Sequence, residues 1–91
     1  MSTPLSKIEI YTTLFCPFCT RAKQLLDSKG VMYYETDVTA RLSLRKAMTK
    51  RAGGRTSVPQ IFIDGQHIGG CNDLLALERS GQLDRLLQVA S

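Results

Sequence analysis

Cys16 and Cys19 stand with only Pro17 and Phe18 between them. A C-x-x-C pair can cycle between dithiol and disulfide, hold a metal, or lie inert in a core. The neighbouring residues separate these uses. Pro17 suits the first turn of a helix, where its missing N–H leaves no bond unmade. The pair therefore opens a helix, with Cys16 at its N-terminus. There the free N–H groups and the positive end of the macrodipole favour a thiolate. Arg21 and Lys23 add positive charge nearby. The thiolate is the reactive species, and such surroundings lower a cysteine's pKa. Cys19 falls one turn further on, where it can attack a mixed disulfide on Cys16 and release the partner. An inert buried pair fits poorly with a helix-opening proline. A zinc site would need His67 and Cys71 as further ligands. A lone histidine on an expected hairpin strand is more often exposed, and the close spacings of zinc fingers are missing. No metal is expected.

The elements that must position this pair follow one another with short joints. Lys7 to Tyr11 alternate, with Ile8 and Ile10 on one face, and read as a strand. Thr12 to Phe15 form a loop that delivers Cys16. Ala22, Leu25 and Leu26 repeat at helical spacing until Gly30 stops the helix. Val31 to Val38 is rich in β-formers and reads as a second strand. Strand, helix, strand makes a βαβ unit with parallel strands and a right-handed crossover. A second helix is expected from about Ala40 to Ala52, with Leu44, Ala47 and Met48 on one face. Gln60 to Ile63 and Gln66 to Ile68 flank Asp64-Gly65, which favours a type I′ hairpin. A helix starting at Asn72 and Asp73 carries Leu74, Leu75 and Leu77 until Gly81 breaks it. Leu83, Leu86 and Leu87 make a last short stripe. The order is β-α-β-α-β-β-α-α, a mixed sheet with helices on its faces.

Composition narrows the class. The chain has 91 residues, 43% of them hydrophobic and 22% charged. That is one domain, residues 1–91, and not a disordered chain. No window approaches the roughly 18 consecutive apolar residues of a membrane span. Met1 to Lys7 show neither an apolar core nor a basic flank, so no signal peptide is expected. Three cysteines are too few and too odd in number for a disulfide-stapled secreted protein. A reducing, cytoplasmic setting is expected. Of the 12 basic residues, half lie in one acid-free run: Arg41, Arg45, Lys46, Lys50, Arg51 and Arg55. The plain reading is a solvated helix face. A sharper one is a surface for an anionic ligand or acidic partner. Nucleic acid fits less well, since no reader motif appears and the aromatics do not interleave with the run.

Three ordered stretches carry a family resemblance: Cys16-Pro17-Phe18-Cys19, then Ser57-Val58-Pro59-Gln60-Ile61-Phe62-Ile63, then Gly69-Gly70-Cys71-Asn72-Asp73-Leu74. Together they resemble the three signatures of glutaredoxins, most closely the bacterial dithiol glutaredoxin 3 type, over Ile8 to about Leu87. The resemblance implies a thioredoxin fold, a four-stranded mixed sheet flanked by helices, with glutathione as electron donor and co-substrate. It makes Cys16 the nucleophile and Cys19 the resolving thiol. It makes Val58-Pro59 a cis-proline step whose backbone pairs with bound glutathione like an added strand, which an X-Pro bond and main-chain pairing allow. It makes Gly70, Cys71, Asn72 and Asp73 the turn for the γ-glutamyl end, with Asp73 pairing the ammonium, and it sets the Phe18 ring beside the ligand. Cys71 would contribute backbone there, its thiol being a small buried group. Two departures stand out. The family commonly has Lys three residues before the first Cys, where this chain has Thr13. Its usual Tyr within the motif is Phe18. Arg21, Arg45 or Arg55 are the candidates to replace the missing cation.

The reading is an enzyme that reduces protein disulfides and protein–glutathione mixed disulfides. Its partners are glutathione and disulfide-containing or glutathionylated proteins, with no nucleic acid and no membrane, and it acts as a monomer. The alternative is a module that holds an iron–sulfur cluster through Cys16 and glutathione. By resemblance, pure carriers have a single active-site Cys followed by Gly-Phe-Ser, whereas this chain has Pro17 and Cys19. A thioredoxin fed by a reductase is a third reading. Its usual Trp-Cys-Gly-Pro-Cys is absent, and the chain has no Trp.

Overall fold

Alternation of Ile8 and Ile10 with Glu9 and Tyr11 gives β1 (Ile8–Thr12) one fully buried face. This strand lies inside the sheet of the computed structural model, which describes residues 6–88. The stretch Met1 to Leu5, read above for a signal peptide, lies outside them, as do the last three positions of the expected domain. After β1 come α1 (Pro17–Ser28), β2 (Tyr34–Asp37), α2 (Leu42–Arg51), β3 (Gln60–Ile63), β4 (Gln66–Gly69), α3 (Cys71–Ser80) and α4 (Leu83–Leu87). The strand order is β2-β1-β3-β4. β1 runs parallel to β2 and antiparallel to β3, and β4 pairs antiparallel with β3. The sheet is mixed, as expected. Asp64 and Gly65 both take positive φ, 51° and 80°, which is the backbone of a type I′ turn.

The helices divide between the two faces. On one, Ile8, Ile10, Ile61 and Ile63 pack with Ala22 and Leu26 of α1, Leu74 of α3, and Leu83 and Leu87 of α4. Burying a side chain of this size contributes about 1.5–3 kcal/mol, so this layer holds the fold. Lys29 reaches both Glu78 and Asp84 at 2.7 Å and ties the end of α1 to α3 and α4. Its ammonium is the partner of the buried Asp84 Oδ1.

The other face carries α2, and here the expected stripe needs correcting. Met48 and Ala52 are buried and Leu44 is half-buried, but Ala47 is exposed. Arg51, itself exposed, lies over the sheet beside them. Its guanidinium lies 4.0 Å from the Phe62 ring and donates to both oxygens of Glu9, at 3.1 and 3.2 Å, and to the Tyr11 hydroxyl at 2.9 Å. A long side chain can lay its stem and its planar head on an aromatic surface. The second strand is also shorter than expected. Val31 is buried ahead of the ladder, which pairs Tyr34–Asp37 with β1, and Val38 adds one bond past it, from its N–H to the Thr12 carbonyl at 2.8 Å.

Candidate active site

The loop after β1 ends in Cys16, which is the N-cap of α1 in extended backbone (φ −112°, ψ 102°). Pro17 opens the helix, and no acidic residue stands in its first turn to offset the positive end of the dipole. The Cys16 sulfur accepts the backbone N–H of Cys19 at 3.1 Å, the bond that a helix N-cap ordinarily receives through oxygen. Cys16 and Cys19 are joined as a disulfide, their Cα atoms 5.2 Å apart. The two are unequal in access. Cys16 is half-buried, whereas Cys19 is only 2% exposed. A partner's sulfur can therefore meet Cys16, while Cys19 faces inward toward it.

Cys16 Sγ lies 4.0 Å from the carbonyl oxygen of Val58. The Val58–Pro59 peptide is cis. Beyond it opens a cleft of about 200 Å³ lined by Phe18, Arg55, Ser57, Val58, Pro59 and residues 70–73. All seven residues expected to hold a ligand are thus in one place: Phe18, Val58, Pro59, Gly70, Cys71, Asn72 and Asp73. They come from three separate parts of the chain, brought together because β3 lies beside β1 and because β4 leads straight into α3.

The α3 end of the cleft is built by Gly69 and Gly70. Gly69 takes φ +119°, and a Cβ on it would run into the Asp73 carboxylate and stand 2.8 Å from Arg55 Nη1. A Cβ on Gly70 would meet the Pro59 carbonyl at 3.3 Å. The glycines let the two loops approach each other. Asp73 accepts the Gly70 N–H at 2.8 Å and Arg55 Nη1 at 3.0 Å. This is half of a capping box, since glycine has no side chain to return the bond. The Gly70 N–H first, and then the Arg55 guanidinium, hold the Asp73 carboxyl below its ordinary value. Cys71 is 3% exposed, and burial pushes its thiol up, only partly offset by the charge of Arg21.

Of the three candidate arginines, only Arg55 lines the cleft. Arg45 donates to the Thr56 carbonyl at 3.1 Å, and Arg21 lines a shallow groove with Pro17, Phe18, Thr20 and Gln24. Ser57 was not expected in the cleft. No periodicity could have shown either, because the chain between Gly53 and Pro59 is irregular and its course is set by contacts. Arg45, Arg51 and Arg55 each have a partner, yet of the run only Arg45 is as much as half-buried, so it is largely a solvated face. His67 is 2.7 Å from Gln60 Oε1 and stacks against Phe62 at 5.1 Å. Among the described residues, no three His, Cys, Asp or Glu side chains are grouped to hold a metal ion.

The chain is similar to known proteins over most of its length. The glutaredoxin family model matches residues 8–68. Glutaredoxin 3 of Escherichia coli K12 is 55% identical over 84 residues, which cover 92% of this chain and all of that protein. Among solved structures, a glutaredoxin from Brucella melitensis is 49% identical with a TM-score of 0.80, covering 91% of this chain and 89% of that one. A buckwheat glutaredoxin–glutathione complex is 28% identical with a TM-score of 0.84, covering 91% of this chain and 77% of that one.

Proposed function

We propose a mechanism from a plain premise: the chain belongs to the glutaredoxin family and is a glutathione-dependent thiol–disulfide oxidoreductase. The single observation that carries the mechanism is the half-buried Cys16 disulfide-bonded to the buried Cys19 at a helix N-terminus. In the reduced enzyme the Cys16 thiolate attacks a substrate disulfide. A bond forms between Cys16 Sγ and one substrate sulfur, and the other leaves as a thiolate. With a protein disulfide, the Cys19 thiolate then attacks Cys16 Sγ, which closes the Cys16–Cys19 bond and frees the second substrate thiol. Two glutathione molecules restore the dithiol and leave as glutathione disulfide. With a glutathione mixed disulfide, Cys16 takes up the glutathionyl sulfur, and a second glutathione removes it without Cys19. The Cys16–Cys19 bond supports this chemistry over cluster binding.

The cleft beside Cys16 is the place for glutathione. That a relative forms a glutathione complex supports this. The main chain of Val58 offers strand-like pairing, and the Gly70–Asp73 turn offers N–H groups to a carboxylate. Asp73 has a carboxylate for the ammonium. Arg55 supplies at the cleft the cation that Thr13 does not. The protein acts as a single domain and a monomer on disulfide-containing or glutathionylated proteins. Its cysteine usage suits the cytoplasm, and no helix among the described residues is long and apolar enough to cross a membrane.

The test is turnover of a small glutathione mixed disulfide, followed as NADPH oxidation with glutathione and glutathione reductase. Cys16→Ser is expected to abolish activity. Cys19→Ser is expected to keep it while losing reduction of protein disulfides. Full turnover by Cys16→Ser would overturn the assignment.

A further inference from the structure

Two apolar side chains precede the reactive sulfur and are left out of every core. Phe15 is 100% exposed and Leu14 is 60% exposed. Phe15 also holds a positive φ of 55°, which is unusual for a bulky residue. The position is held: the Leu14 N–H donates to Thr39 Oγ1 at 2.9 Å, and Cys16 just beyond is locked as the N-cap of α1. The fold thus spends an unfavourable backbone conformation on pointing a phenyl ring into solvent, one residue from Cys16. Such strain near a reacting group points to a use for it.

The ring does not serve the glutathione cleft. Phe15 and Leu14 are absent from its lining, and the aromatic wall there is Phe18, which is 53% exposed. Consecutive Cα atoms are about 3.8 Å apart. Leu14 and Phe15 therefore stand within two residues of the sulfur that a partner protein must reach, on a loop outside the cleft. The apolar surface is continuous with the one point where the reaction demands contact with a partner.

We propose that Leu14 and Phe15 form a docking surface for protein disulfides, and that the chain they favour is an extended segment with apolar residues beside its cysteine. The proposal deepens the oxidoreductase reading and rests on Cys16 as the attacking sulfur. When the Cys16–substrate bond forms and the second substrate sulfur leaves as a thiolate, the flanking side chains of the bound half cover Phe15 and exclude water from it. The pair thereby sets preference among protein substrates and leaves small mixed disulfides untouched.

Three substrates separate these effects: a small glutathione mixed disulfide, an oxidised peptide with Leu and Phe flanking its cysteines, and one of equal length with Ser and Gly there. Phe15→Asn removes the ring and keeps a residue that tolerates positive φ. With this variant and with Leu14→Ser, kcat/KM for the apolar peptide is expected to fall roughly tenfold, as part of one aromatic side chain loses its cover. The other two substrates should turn over as with wild type. Equal loss on all three would overturn the proposal, by showing that the loop only positions Cys16. So would a wild type that does not prefer the apolar peptide. A wild-type dimer that Phe15→Asn dissociates would also overturn it, by assigning the patch to a second copy. Failure of the wild type on the small mixed disulfide would instead overturn the parent reading, and this proposal with it.

Discussion

Gln60 carries no reactive group, yet it bears on the cleft. Its side chain is fully buried, 0% exposed, and both ends are bonded. Nε2 donates to the Ser57 carbonyl at 3.0 Å, and Oε1 faces His67 Nε2 at 2.7 Å. An amide oxygen only accepts, so His67 carries its proton on Nε2. Burial and the nearby Arg55 charge disfavour a second proton on that ring. The amide thus braces the loop that holds Ser57 and Val58 against β4. Gln60→Leu keeps the volume and leaves the Ser57 carbonyl and His67 without a partner. Such a loss costs about 1–3 kcal/mol. We expect a lower Tm and a higher KM for a glutathione mixed disulfide, with kcat changed less, because the brace touches the cleft wall and neither sulfur. Steady-state kinetics beside thermal unfolding would check the split. The reactive pair was legible from residue types alone, since Cys, Pro and spacing suffice for it. The brace was not, because nothing in Gln60 or His67 announces a partner seven residues away.

At the scale of elements, the start of α3 decides both stability and ligand charge. Asp73 is ionised there with a depressed pKa, so the sign of its pH effect is set. Its contribution is complete above about pH 5 and is lost as pH falls through 3.8, the ordinary value, toward the lower folded one. The carboxylate is about half exposed, 46%, so the gain is modest. Asp73→Asn is expected to cost roughly 0.5–1 kcal/mol at pH 7. Near pH 3 the gap should narrow, since the carboxyl of the unfolded wild-type chain, at its ordinary value, is then taking up its proton. Denaturant unfolding of both proteins at the two pH values would measure it. The helix itself was readable to within one residue, because Gly70 and Gly81 punctuate it and Leu74 marks its buried face. The Arg55–Asp73 pair was not readable: eighteen positions of sequence separate the partners, and the pairing depends on two glycines allowing β4 and the cleft loop to close up.

For the molecule as a whole, stability is unevenly spread. One face of the sheet buries an apolar layer under three helices, while α2 on the other face rests on Met48, Ala52 and the Arg51 clamp. The guanidinium lowers the pKa of Glu9 through its hydrogen bonds, which marks a pair tighter than an ordinary surface one. Arg51→Met should weaken α2 by about 1–2 kcal/mol, through lost cation–π and ion-pair contacts. Hydrogen exchange should then rise in α2 and stay slow in β1 and β3, since elements with few buried contacts open on their own. The sequence by itself determined the order of elements, the mixed sheet, the hairpin turn and the redox pair. Each of these rests on local chemistry: side-chain periodicity, backbone freedom at glycine, and proline at a helix start. Only the tertiary structure decided which arginine reaches the cleft, that Arg51 lies across Phe62 and Glu9, and that Phe15 stands bare beside Cys16. Those outcomes depend on which distant surfaces meet and how much room is left between them, and no local pattern encodes that.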